Sequence, residues 1–217
     1  MIETVLFDLD GTIVDTNELI IATFLQVLEG RSDRTYTREE LVPHMGRPLL
    51  EQLRFFTGRE DVAELVPLYR EYNLARHDEL VREFPHVREV VAALREGGTR
   101  LGVVTSKVRL TTDKGLKFCG LFDYMDAIVT FDDVDKPKPD PEGIVKAMQL
   151  LDASPETTLM VGDSQFDLLA AQAAGVKSAG VAWSLKGEAF LRQYKPDYML
   201  HDMRDLLDIA GVTRGAR

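Results

Sequence analysis

Short, β-rich apolar runs alternate along this chain with longer amphipathic stretches, and this alternation constrains the fold more than any other feature. The runs fall at Thr4 to Phe7, Leu101 to Thr105, Ala127 to Thr130, Leu159 to Val161 and Ser178 to Val181. Their rhythm is that of parallel strands joined by helical crossovers. A run such as Leu101-Gly102-Val103-Val104 has no polar face, so both sides of its sheet must be covered. The expectation is a doubly wound parallel α/β sheet. Crossover helices are expected over residues 87–96, 110–118, 141–151 and 167–174, the last stopped by Gly175.

About ninety residues separate the first run from the second, far more than a crossover needs. Helical periodicity is read within this gap at residues 17–29, 38–45, 48–56 and 60–83, with Leu65, Leu68, Tyr69 and Tyr72 as an apolar stripe. Residues 17–84 are therefore expected to form a small helical domain above the sheet, with residues 1–16 and 85–217 as the α/β core. The length of 217 residues suits a core carrying such an insertion. The tail from Thr213 to Arg217 is expected to fray.

The net charge of −10 argues against nucleic acid or an anionic membrane surface as partner, because nothing resembles a concentrated basic stripe. No apolar run is long enough to span a bilayer, and the first residues lack the regions of a signal peptide. A cytoplasmic protein acting on a small molecule is expected; whether a protein partner docks is not legible. Cys119 is the lone cysteine, which rules out an internal disulfide and suggests a packed core thiol.

In open parallel sheets, ligands bind at the carboxyl ends of the strands. Asp8-Leu9-Asp10-Gly11-Thr12 follows the first run and sets two carboxylates where a buried strand ends. Ionised groups there are costly unless paired or bound to a cation. Residues i and i+2 of an extended segment point the same way, so Asp8 and Asp10 can converge on one ligand. Gly11 permits a sharp turn, and Thr12 can cap the next helix or donate a hydroxyl hydrogen bond. Taken alone, this segment is equally well read as a strand-to-helix turn with capping acids. The other strand ends carry Thr105-Ser106-Lys107, then Lys136-Pro137-Lys138-Pro139-Asp140-Pro141, then Gly162-Asp163-Ser164-Gln165-Phe166-Asp167. Hard oxygen ligands with open positions describe a Mg²⁺ site, and hydroxyls with a lysine describe a cradle for a phosphoryl group.

These four segments, in this order, resemble the haloacid dehalogenase superfamily of phosphohydrolases over essentially the whole chain. The resemblance implies a Rossmann-like core with a helical cap. It implies Asp8 as the nucleophile that forms an aspartyl-phosphate and Asp10 as the acid and base. Asp8, the backbone carbonyl of Asp10, and Asp163 would hold Mg²⁺, with Asp167 in support. Thr105, Ser106 and a lysine would bind the phosphoryl oxygens. Lys136 and Lys138 both fit the family's lysine motif, and Lys138, just before the helix start at Pro141, is the choice.

The insertion resembles the family's cap, which closes over the catalytic face and selects substrate. Within His44-Met45-Gly46-Arg47-Pro48, Arg47 is expected to grip the distal anionic part of a substrate, and His44 is read as a surface or packing residue. Residues 1–106 contain no lysine, which excludes the Schiff-base chemistry of phosphonatase relatives. Asp10 argues against the dehalogenases, which lack the second acid. The segments Asn17 to Ile21, His77 to Phe84 and Gly180 to Gly187 resemble the bacterial pyrophosphatase branch and imply hydrolysis of inorganic pyrophosphate to orthophosphate. A phosphoglycolate phosphatase, another small phosphomonoester phosphatase, a phosphosugar mutase and a catalytically idle binding protein are the alternatives. Trp183 is read as packing beside the sheet edge.

Overall fold

The computed structural model describes residues 1–212; the fraying expected at 213–217 lies outside them. The strands are β1 (Thr4–Phe7), β2 (Val14–Asp15), β3 (Arg82–Glu83), β4 (Arg100–Val104), β5 (Ala127–Val129), β6 (Thr158–Gly162), β7 (Lys177–Val181) and β8 (Tyr198–Leu200). The helices are α1 (Asn17–Leu28), α2 (Arg38–Leu41), α3 (Leu49–Thr57), α4 (Leu65–Leu80), α5 (Val87–Glu96), α6 (Arg109–Phe118), α7 (Glu142–Leu151), α8 (Gln165–Ala174), α9 (Glu188–Arg192) and α10 (Asp205–Ala210).

Six strands form one parallel sheet in the order β5-β4-β1-β6-β7-β8. All four residues of β1 and all five of β6 are buried, as strands covered on both faces must be. One apolar cluster, including Val5, Phe7, Val90, Val91 and Leu94, fills one face of the sheet; another, including Leu6, Val104, Ile144 and Met160, fills the other. In α5 the buried residues are Val87, Val90, Val91 and Leu94, the spacing of a single helical face. Cys119 is buried, and burial pushes its thiol up to about 11. Trp183 packs against the sheet's apolar cluster with its ring centroid 6.0 Å from that of Phe84.

The sixth strand, β8, lies outside the sequence expectation. Tyr198-Met199-Leu200 is too short to announce itself and is a strand because β7 pairs with it. The insertion also departs in detail. Its last helix begins at Leu65 rather than near residue 60 and ends at Leu80, because Arg82 and Glu83 leave the helix to pair antiparallel with Asp15 and Val14. The stretch at 38–45 splits into α2 and a 3₁₀ turn over Val42–His44 that carries Pro43. Leu68 is 39% exposed and lies off the apolar stripe; the face of α4 turned inward carries Leu65, Asn73 and His77. The Asn73 side-chain amide donates to the Thr23 hydroxyl of α1 at 3.3 Å. A third apolar cluster, including Phe24, Leu41, Leu53, Phe56 and Leu65, is built from the insertion alone.

Candidate active site

The strand order reverses between β1 and its two neighbours, β4 and β6, which opens a crevice at their carboxyl ends. Asp8 stands there, its backbone N–H donating to the Val161 carbonyl of β6 at 2.8 Å. The Lys138 ammonium reaches across the crevice and donates to Asp8 Oδ1 at 2.7 Å, to Asp167 Oδ1 at 2.5 Å and to the Val104 carbonyl at 2.9 Å. All three of its donors are used. Lys136 is exposed, and its backbone N–H donates to Glu142 at 2.9 Å. Asp167 Oδ2 in turn accepts from the Ser164 N–H and hydroxyl in a capping box that opens α8. A Cβ at Gly162 would collide with the Asp167 side chain, so the glycine of this motif leaves the room that Asp167 occupies.

Asp10 lines the same cavity but has a separate partner. Lys107 Nζ lies 2.9 and 3.0 Å from its two carboxylate oxygens, and the Thr16 hydroxyl donates to Oδ1 at 2.6 Å. The two acids of the first motif therefore share a site without sharing a lysine. Thr12 does not take its expected part: no helix starts beside it, and its buried hydroxyl has no partner among the described residues. Gly11 turns the chain at φ +78, the bridge between Asp10 and Val14 closes the loop, and Thr16 arrives where the hydroxyl is needed.

Asp163 is buried, and among the described residues no cation lies within ion-pair distance of it. Burial, then the charges of Asp167 and Asp8, push its carboxyl well above the ordinary range. Burial likewise raises Asp8 to about 7; Lys138 opposes this, while Asp167 and Asp10 add to it. Burial pulls the Lys138 ammonium down, but Asp167 and Asp8 outweigh it and hold it above its ordinary value.

Thr105 and Ser106 line the cavity, which measures about 170 Å³, and the buried Ser106 hydroxyl has no partner among the described residues. Arg47 reaches the same cavity from the insertion, its buried Nε without a hydrogen-bond partner among the described residues and its guanidinium 5.6 Å from the Phe166 ring centroid. His44 stacks on Phe55 with centroids 3.9 Å apart, and burial, then Arg47 and Lys186, hold its imidazole below the ordinary value.

The family profile of haloacid dehalogenase-like hydrolases matches residues 5–181. The chain belongs to that family. A protein named pyrophosphatase PpaX from Bacillus cereus is 49% identical over 208 residues, covering 96% of each chain. A protein of the same name from Anoxybacillus flavithermus is 47% identical over 212 residues, covering 98% of each. A haloacid dehalogenase-like family hydrolase from Streptococcus pneumoniae superposes with a TM-score of 0.84 at 26% identity, covering 96% of this chain and 98% of that one.

This haloacid dehalogenase-like hydrolase is a phosphohydrolase, and its site contains residues that the sequence motifs did not single out. Lys107 follows the motif hydroxyls directly, so its position was visible but not its pairing with Asp10. Tyr69, whose spacing places it in the apolar stripe, lines the cavity, and burial together with Asp10 raises its hydroxyl. Arg70 and Gln52 line it too, and the buried side-chain oxygen of Gln52 has no partner among the described residues. Nothing in their sequence neighbourhoods marks these residues, because the folding of the insertion brings them there.

Carboxylate oxygens of Asp8, Asp163 and Asp167 lie within 4.8 Å of one another. A Cβ at Gly11 would stand 2.6 Å from Asp163 Oδ2, so the backbone is shaped around this group. Buried acids in excess of nearby cations suit a hard divalent ion. Adding Mg²⁺ at about one hundred times its dissociation constant is expected to stabilise the fold by about 2.7 kcal/mol. For a chain of this size, that is a rise in Tm of roughly 5–10 °C. Thermal unfolding in chelator and in Mg²⁺ measures it, and coincident curves would exclude a cation at this cluster.

Proposed function

We propose that this enzyme hydrolyses inorganic pyrophosphate to two orthophosphates with Mg²⁺, that residues 17–84 serve as its cap domain, and that it works in the cytoplasm. The observation that carries the substrate reading is a second group of cations, Arg47 and Arg70, lining the same cavity as Asp8 and Lys138. A compact substrate with charge at both ends meets both groups. The cavity is smaller than the roughly 300–1,000 Å³ of pockets that take drug-sized ligands. The near-half identity to proteins named pyrophosphatase PpaX supports the same reading.

In this reading a carboxylate oxygen of Asp8 attacks the nearer phosphorus, the bridging P–O bond breaks, and orthophosphate leaves with a proton from Asp10. Asp10 then takes a proton from water, whose oxygen attacks the aspartyl-phosphate and releases the second orthophosphate. Asp8, the Asp10 carbonyl and Asp163 would hold Mg²⁺, which supplies charge neutralisation for the phosphoryl oxygens. Thr105, Ser106 and Lys138 would receive the transferring group, and Asp167 keeps Lys138 oriented.

Phosphate release measured on pyrophosphate, phosphoglycolate and sugar phosphates tests the assignment. The highest kcat/KM is expected on pyrophosphate; a higher value on phosphoglycolate would overturn it. Arg47→Ala is expected to lower kcat/KM on pyrophosphate roughly 10- to 150-fold, the cost of a charge-assisted hydrogen bond of about 1.5–3 kcal/mol. Methyl phosphate, which has no distal charge, is expected to lose much less. Equal losses on both substrates would assign Arg47 to folding or closure instead.

A further inference from the structure

Lys186 has no place in the four catalytic motifs, yet it lies half-buried where the core meets the insertion. Its ammonium donates to the carbonyls of Met45 at 2.7 Å, Pro43 at 3.2 Å and Val42 at 3.4 Å. Three donors thus go to the single 3₁₀ turn over Val42–His44 and its cap residue Met45, the segment that leads directly into Arg47. The other end of the contact is equally fixed. The Lys186 backbone N–H donates to the Ser184 hydroxyl at 3.1 Å, and that hydroxyl donates to the backbone carbonyl of Asp163 at 2.6 Å. A continuous set of hydrogen bonds therefore runs from the chain at Asp163 to the loop that carries Arg47.

The neighbouring contacts serve the same junction. Gly46, at φ +94, lies against the core: a Cβ there would stand 3.2 Å from both the Ser164 hydroxyl and the Phe166 ring. Phe166 carries both cations, with Lys186 Nζ 5.7 Å and the Arg47 guanidinium 5.6 Å from its centroid. Burial, with the Arg47 charge adding to it, pulls the Lys186 ammonium below its ordinary value, while Asp163 and Asp167 oppose this and the three loop carbonyls accept its hydrogen bonds.

We propose that Lys186 is a positioning residue for substrate binding: it fastens the 42–47 loop of the insertion onto the core and so sets where Arg47 stands relative to Asp8. This rests on the reading of Arg47 as a substrate-binding group. Loss of the ammonium releases the loop, and substrate must then bring Arg47 into place at the expense of its own affinity. The loss therefore falls on KM more than on kcat.

Steady-state kinetics on pyrophosphate and methyl phosphate for Lys186→Met, Lys186→Arg, Arg47→Ala and the Lys186→Met/Arg47→Ala double variant test this. Lys186→Met is expected to lower kcat/KM on pyrophosphate about 10- to 100-fold, chiefly through KM, the range that one charge-assisted hydrogen bond carries. Lys186→Arg is expected to recover most of that loss. In the Arg47→Ala background, removing Lys186 is expected to cost little more, because the two residues act as one unit. A Lys186→Met loss of the same size in both backgrounds, an equal loss on methyl phosphate, or no loss at all would overturn the proposal while leaving the Arg47 assignment intact. An Arg47→Ala variant with unchanged pyrophosphate kinetics would overturn both.

Discussion

Asp8→Asn is expected to lower phosphate release by about 10⁴-fold or more, the scale reached when a covalent nucleophile is removed. The amide matches the carboxylate in shape and keeps one oxygen to accept from Lys138, so the fold is expected to survive. Its stability should change with pH in a defined way. Folding raises the Asp8 carboxyl from its ordinary 3.8 to about 7. Between those values the folded protein holds a proton that the unfolded chain has released. The contribution is therefore fully present below 3.8 and is lost as pH rises through about 7. In metal-free buffer, wild-type Tm is expected to fall across this window and the Asp8→Asn curve to be flatter. Residual turnover within about tenfold of wild type would remove the covalent mechanism, and identical Tm profiles would remove the electrostatic account of Asp8.

Asp10→Asn is expected to slow turnover by about 10² to 10⁴, the usual contribution of a positioned general acid-base group. The Thr16 hydroxyl can still donate to an amide oxygen, but the ion pair with Lys107 is lost. Both half-reactions need this group, and the second needs it as a base. Phosphorylated Asp8 is therefore expected to build up during turnover and to be visible in the intact mass of rapidly quenched enzyme. Full activity without this carboxylate, or no phosphorylated form on any timescale, would defeat its assigned role. The two variants are complementary, since one removes the atom that forms the intermediate and the other the group that resolves it.

Much of this protein was legible in its sequence because the relevant physics is local. A strand buried on both faces must be apolar throughout, so β1, β4 and β6 stand out. A helix that covers a sheet must repeat its apolar face, so α5 does too. Costly charges at the ends of such strands mark Asp8, Asp10, Asp163 and Asp167, and a proline-framed lysine marks Lys138. The sequence favours Lys138 over Lys136 by its place before Pro141, but its ion pairs needed tertiary structure, because only folding decides which ammonium is drawn between Asp8 and Asp167. The same holds for β8, which is a strand only through its pairing with β7. It holds also for Thr16 in place of Thr12, since the turn at Gly11 determines which hydroxyl faces Asp10. The contacts of Lys186, Tyr69 and Arg70 join segments more than a hundred residues apart or fold an insertion over a distant sheet. Periodicity and spacing report on the few residues that a helix turn or strand pleat brings together, whereas such contacts are specified by how whole elements pack.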